Sequence, residues 1–181
     1  MTLEKINSLT PRDAVILFRQ CCGSTRWAQT MNDRKPFRSV EEMHIASDDV
    51  WYSLTEDDWK QAFAQHPKIG DIPPERHGRA GKSLRKKFGS TADWAKGEQA
   101  GAMGASEKVL KALAEGNNLY EAKFGYIFIV CATGKSAEEM LAILNKRLNN
   151  IPSEEIKIAA QEQAKITRIR LENVLSATQS I

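Results

Sequence analysis

Almost every segment of this 181-residue chain repeats its apolar residues at the 3.6-residue spacing of a helix. One stretch alone has the composition of a strand. It is YIFIVCATG, residues 126–134, rich in aromatic and β-branched side chains. No second stretch of similar quality exists to pair with it, and an isolated strand is not stable. The pattern therefore predicts that this stretch is a buried helical segment and that the chain is all-α.

Cap signals divide the periodic pattern into elements. Thr10 stands as N-cap before Pro11 at the first helical position, and Gly23 closes that helix. Its Ala14, Leu17, Phe18 and Cys21 share one face. A second short helix is expected over Ser24–Met31, before a turn around Pro36. A third spans Ser39–Leu54, with Ser39 as cap and Glu42 at the capping-box position. Thr55 with Asp58 opens a fourth, whose buried side carries Trp59, Ala62 and Phe63. Helical character returns at Lys82–Lys87 and from Thr91. It continues over Ser106–Leu119, with a weak point at Gly116–Asn118. Ser136 with Glu139 caps a helix reaching about Asn149, and Pro152 begins a last one reaching about Ala177. The expected architecture is a single-domain helical bundle of about eight helices over residues 1–181.

Bulk properties narrow the function classes. The residues are 41% hydrophobic and 27% charged, ordinary for a globular protein, and 181 residues can bury a real core. A net charge of +3, with signs alternating along the chain, is weak support for an anionic partner and poor support for nucleic acid. Cys21, Cys22 and Cys131 form an odd set with two neighbours, which is not a disulfide framework, so a reducing compartment is expected. The N-terminal MTLEKINSL lacks the basic start and apolar run of a secretory signal. The closing Gln179-Ser180-Ile181 is not a peroxisomal address. No stretch reaches the roughly 20 apolar residues of a membrane span. A cytoplasmic protein with no membrane partner is expected.

Several motifs fail on geometry. ATGKS (residues 132–136) and AGKS (residues 80–83) mimic a phosphate loop. The full motif needs a further glycine five positions earlier so that backbone amides wrap the phosphates, and Ile129 and Arg76 stand there instead. A helix C-cap at Gly134 followed by the N-cap at Ser136 accounts for the first match without a ligand. His44, His66 and His77 show no i,i+4 pairing and no Cys-x-x-Cys exists, so no metal site is expected. The basic run ERHGRAGKSLRKKFG, residues 75–89, can contact phosphates or serve as a solvated loop and helix face; the acids interspersed along the chain and its mild net charge argue against nucleic acid.

Three places keep chemical potential. HPKIGDIPPERHGRAG, residues 66–81, holds six Pro or Gly in sixteen positions, and a non-periodic loop of that length inside a domain is often functional. At its start, Pro67 disfavours the α conformation in His66, so His66 should leave the helix and stand at a rigid corner. An imidazole there either transfers protons near neutral pH or caps a helix-terminal carbonyl, and the pattern leaves both open. KGEQAGA, residues 96–102, sets Glu98 beside Gln99 among small residues, a pair that can read a planar polar ligand or simply form a surface turn. In KITRIRLENVL, Arg168 and Arg170 lie roughly 160° apart around a helix, so at most one can face a given site. Spacing alone does not bring these pieces together.

HPKIGD, GEQAGA, YEAKFGYIFIVCATGKSAEEML and KITRIRL, in this order, resemble the 2-oxo-4-hydroxy-4-carboxy-5-ureidoimidazoline (OHCU) decarboxylase family over nearly the whole chain. The resemblance implies an all-α fold, no metal or organic cofactor, a homodimer, and conversion of OHCU to (S)-allantoin with loss of CO2 in urate degradation. It implies that His66 is the catalytic histidine, Glu98 the essential glutamate and Arg170 the essential arginine, with Arg168 the poorer match. Pro67 and Gln99 match substrate contacts. Phe128, Ile129, Val130, Cys131 and Ala132 match a run whose backbone meets substrate. Ala95 stands where many members of the family have a serine, which puts one substrate hydrogen bond in question.

Overall fold

The computed structural model describes residues 1–69 and 105–176. Among these residues the chain forms eight helices and no strand: α1 (Leu3–Asn7), α2 (Pro11–Cys22), α3 (Thr25–Asp33), α4 (Val40–Tyr52), α5 (Glu56–Phe63), α6 (Glu107–Phe124), α7 (Ala137–Arg147) and α8 (Pro152–Ser176). The all-α expectation holds. The helices expected at 82–87 and from 91, and the loop from Gly70 onward, lie outside the described residues. The chain divides into two compact units, one of Met1–Ala62 with Gln163–Ile181, the other of Phe63–Glu162.

In the first unit the caps act as the sequence predicts. The Thr10 hydroxyl accepts from Asp13 N–H at 3.2 Å, and Gly23 ends α2 in the left-handed region at φ 90°. Ser24 caps α3 through Trp27 N–H at 3.3 Å. Thr55 and Asp58 bond reciprocally at the start of α5, the Thr55 N–H donating to the Asp58 carboxylate at 3.2 Å. The Ser39–Glu42 pair departs from expectation. Ser39 accepts from Glu42 N–H at 3.0 Å, but the Glu42 carboxylate takes the Arg38 N–H at 2.6 Å instead. The Arg38 guanidinium, 2.9 Å away, draws the carboxylate one residue further back.

The predicted faces are buried: Ala14, Leu17, Phe18 and Cys21 of α2 are at most 1% exposed. They join Ile6, Trp27, Met31, Met43, Val50 and Trp51 in the core. Phe18 meets Trp27 edge-on at 5.9 Å. Two indoles there donate to a carbonyl, Trp27 Nε1 to Ser47 O at 3.1 Å and Trp59 Nε1 to Trp51 O at 2.9 Å. Trp59 is only half-buried, unlike Ala62 and Phe63.

In the second unit, α6 runs unbroken from its Ser106 cap to Phe124, five residues beyond the predicted end, and Gly125 closes it at φ 78°. Gly116 is a contact rather than a weak point. A Cβ built there would lie 2.6 Å from Leu144 Cδ2, so α6 and α7 approach as closely as they do because position 116 carries no side chain. Helix α7 starts with the predicted capping box between Ser136 and Glu139.

The stretch after Gly125 corrects the sequence reading. Residues 126–132 form neither helix nor strand, yet Tyr126 and Phe128 to Ala132 are all buried. Nor does Gly134 cap a helix. At φ 77° it sits in a turn closed by Lys135 N–H on Ala132 O at 3.0 Å. Periodicity missed this conformation because the backbone groups of Ile129 and Cys131 are held by side chains instead of a ladder. Arg147 Nη1 donates to Ile129 O at 2.7 Å, Cys131 N–H donates to Glu162 Oε2 at 2.8 Å, and Lys135 Nζ donates to Cys131 O at 2.7 Å.

Arg147 is held in turn. Its Nε and Nη2 lie 2.7 and 2.6 Å from Glu155 Oε1, and its guanidinium stacks 4.7 Å over the Phe128 ring. The Tyr120 hydroxyl donates to Glu155 Oε1, and Asn150 Nδ2 donates to Glu155 Oε2 at 2.6 Å. Glu155 is fully buried. Removing one partner of such a buried pair leaves the other charge without compensation. Glu155→Ala should lower folding stability by about 3–5 kcal/mol, and Tyr120→Phe by about 1–2 kcal/mol. Urea denaturation midpoints of the two variants check this order.

Candidate active site

The corner predicted at His66 forms just after α5. The helix ends at Phe63, and His66 N–H closes a last turn on Phe63 O at 3.1 Å. His66, Pro67 and Lys68 are half-buried, and Ile69 is buried. Two anchors fix this corner within the second unit. The Phe63 ring packs on Tyr126 at 5.2 Å. On the other side Lys68 Nζ pairs with Glu121 at 2.7 Å and donates to Asn118 Oδ1 at 3.2 Å, one helical turn of α6. Proline sets the backbone direction and the lysine ties it down, so the imidazole stands on a rigid base.

The same unit holds the buried run Phe128–Ala132 described above. Phe63 packs on Tyr126, at the head of that run, so one aromatic contact serves both pieces. Burial keeps the Tyr120 phenol protonated by pushing its pKa far up, against the opposing pull of Arg147. It therefore donates to Glu155 at any physiological pH.

In the first unit the two candidate arginines separate as the 160° estimate requires. Arg170 is buried, 3% exposed, and its Nη1 donates to Gln20 O at 3.4 Å. Arg168 is exposed and pairs with Glu41 and Glu172, both at 3.6 Å. Glu172 also lies 3.8 Å from the buried His44, whose pKa is pushed down by burial first and by Arg168 second. Arg168 thus belongs to a surface charge cluster. Arg170 lies on the buried stripe Gln163, Ile166, Thr167, Arg170, Val174 of α8. Glu98, Gln99 and Ala95 lie outside the described residues, as do His77 and the basic run 75–89.

A concavity lined by Arg34, Phe37, Arg38, Glu42 and Asp49 contains none of the predicted site residues. Two of its charges, Arg38 and Glu42, are spent on each other. Among the described residues no cluster of three His, Cys, Asp or Glu is arranged to hold a metal ion.

Residues 7–172 match the sequence pattern of OHCU decarboxylase. The chain belongs to the OHCU decarboxylase family. It is 38% identical over 161 residues to the uric acid degradation bifunctional protein TTL of Arabidopsis thaliana, covering 88% of this chain and 46% of that protein. It therefore spans about half the length of that relative. The 2-oxo-4-hydroxy-4-carboxy-5-ureidoimidazoline decarboxylase of Xenopus laevis is 30% identical over 181 residues, with 94% of this chain and 93% of that one covered. A crystal structure of an OHCU decarboxylase in the presence of (S)-allantoin superposes with a TM-score of 0.72 at 35% identity, covering 88% of this chain and 96% of that one. Within this family fold, the supporting residues Lys68, Tyr120, Arg147, Glu155 and Glu162 escaped the sequence reading. A signal for two of them existed. Arg147 falls on the apolar stripe of α7 with Met140 and Leu144, and Glu155 on that of α8 with Ile156 and Ala159. A lone charge on an apolar helix face marks a buried partner.

Cys22, 1% exposed, lies beside Arg170 and Thr167. Burial pushes its thiol up to about 12, outweighing the hydrogen bonds and the Arg170 charge that pull it down. The folded protein keeps this proton to about pH 12 while the unfolded chain loses it near 9. Stability from this group is thus complete below about pH 9 and declines above it, by up to about 1.4 kcal/mol per pH unit. Denaturation midpoints measured between those pH values should fall more steeply for the native sequence than for Cys22→Ala.

Proposed function

We propose that the chain is a cofactor-independent decarboxylase that converts OHCU to (S)-allantoin and CO2 in urate degradation. The observation that carries this reading is the 35% identity, over 88% of the chain, to an OHCU decarboxylase crystallised in the presence of (S)-allantoin. The family match from residue 7 to 172 runs through both compact units, which supports reading the chain as one domain of that family. The working form is a cytoplasmic homodimer. The free, buried Cys21, Cys22 and Cys131 accord with a reducing compartment, and light scattering tests the dimer.

The chemistry follows from the groups. Loss of CO2 leaves an electron pair on the reacting carbon, and the C=N group of the substrate ring accepts it, so the protein need supply no electron sink. It must hold the carboxylate away from water, fix the ring and deliver a proton. His66 transfers that proton; its corner, anchored through Phe63 and Lys68, suits a group that must not wander. Glu98 accepts from the ureido N–H groups and Gln99 supplements it. Arg170 neutralises negative charge on the substrate, where a planar guanidinium fork fits a carboxylate. Its burial on α8 makes it the better of the two arginines, because Arg168 lies exposed in a surface charge cluster with Glu41 and Glu172. Pro67 and the backbone of Phe128, Ile129, Val130, Cys131 and Ala132 line the ring. Ala95 cannot donate the hydrogen bond that a serine would offer there.

General acid–base participation is worth about 10²–10⁴-fold. His66→Asn should lose that factor in (S)-allantoin formation, followed by circular dichroism with freshly generated OHCU, while its far-ultraviolet spectrum stays that of the native chain. An unchanged rate rejects His66 as the proton carrier. Arg170→Ala should abolish turnover, whereas Arg168→Ala should retain it within about threefold, as surface substitutions do.

A further inference from the structure

The hydrogen bonds of the buried run fall on alternate residues. Ile129 C=O is taken by Arg147, and both polar groups of Cys131 are taken, the N–H by Glu162 and the C=O by Lys135. Between and before them, Val130 and Phe128 are 6% and 2% exposed, and their N–H and C=O groups have no hydrogen-bond partner among the described residues. Buried backbone groups are nearly always paired, so two consecutive alternate residues left unpaired ask for a ligand. A substrate with ureido N–H donors and ring and carboxylate acceptors offers both complements.

We infer that Arg147 and Glu162 are positioning residues for the decarboxylation: they grip Ile129 and Cys131 so that the free peptide groups of Phe128 and Val130 are presented to the substrate. This rests on the proposed reading that the run 128–132 meets OHCU. The two grips come from different helices, Arg147 from the end of α7 and Glu162 from α8, and they oppose each other in polarity. A cation holds a carbonyl and a carboxylate holds an amide only two residues away, so the peptide dipoles between them are set in direction as well as place. Arg147 cannot swing away, because Glu155 holds two of its nitrogens and the Phe128 ring lies beneath its plane. Neither residue touches the reacting atoms in this scheme. Their effect is to pre-order a binding surface made of backbone, which no side-chain substitution in the run itself could replace.

Glu162 is half-buried, so its substitution leaves the core intact. Glu162→Ala frees the Cys131 amide, and Glu162→Gln keeps an oxygen that can accept from it. Arg147→Lys keeps a positive charge for Glu155 but loses the fork that reaches Ile129 at the same time. KM and kcat for (S)-allantoin formation, with thermal midpoints, are measured for each. Glu162→Ala and Arg147→Lys should raise KM about tenfold with kcat within about threefold, the pattern of lost binding rather than lost chemistry. Glu162→Gln should recover most of the native KM. A native KM in Glu162→Ala, or a Glu162→Gln as impaired as the alanine variant, overturns the role of Glu162. A native KM in Arg147→Lys overturns that of Arg147. A native chain that forms no allantoin sinks the functional reading itself, a result distinct from an active chain indifferent to these substitutions.

Discussion

The guanidinium of Arg147 is the interaction on which the second unit depends. A buried stretch with no helix and no neighbouring strand would strand its peptide groups, each at a cost of about 1–3 kcal/mol. Arg147 answers this for Ile129 at 2.7 Å. It brings a charge that must itself be compensated in a buried place, and Glu155, Tyr120 and the Phe128 ring do so together. The network is closed: Glu155 Oε1 receives Arg147 and Tyr120, and Oε2 receives Asn150. An apolar triad of the same volume would often be as stable or more so. It would leave the Ile129 carbonyl unpaired, which explains why charge rather than hydrocarbon occupies this position.

Sequence reasoning reached the helices because their ends are written in local chemistry. Thr10, Ser24, Thr55, Ser106 and Ser136 each bond the amide three residues on, and Gly23 and Gly125 turn left-handed where their helices stop. Such signals need no knowledge of the rest of the chain. The same reasoning failed on residues 126–132 because what holds them lies far off in sequence. Glu162 is 31 positions from Cys131, and Arg147 is 18 from Ile129. A search for a partner strand could not find a partner made of side chains. Gly134 was misassigned for the same reason: once the preceding stretch is not a helix, its positive φ serves a turn.

The candidate site divides along the same line. The bend at His66 was legible because a histidine before a proline has few conformations open to it, and the structure adds the Lys68 tether that no pattern displayed. The choice between Arg168 and Arg170 was half legible. Angular spacing showed that only one could face inward, and only burial shows which one does. That one lies on an apolar stripe, where a charge is costly unless it is used.

These cases share a readable rule. On α7 and α8 the polar residues that interrupt an apolar stripe include Arg147, Glu155, Gln163, Thr167 and Arg170, and every one of them is buried. Desolvating such groups is expensive, so each must be satisfied by a partner that the stripe itself cannot supply. For Arg147 and Glu155 the partner is within the protein, and their work is to shape backbone. For Arg170 too a partner lies within the protein, the Gln20 carbonyl at 3.4 Å. In the reaction proposed above, its charge would face the substrate carboxylate, which departs as neutral CO2 and leaves its electron pair in the ring. Under that reading, the same burial that makes the arginine costly to keep would strengthen its attraction for the substrate's negative charge, because charges interact more strongly in a low dielectric.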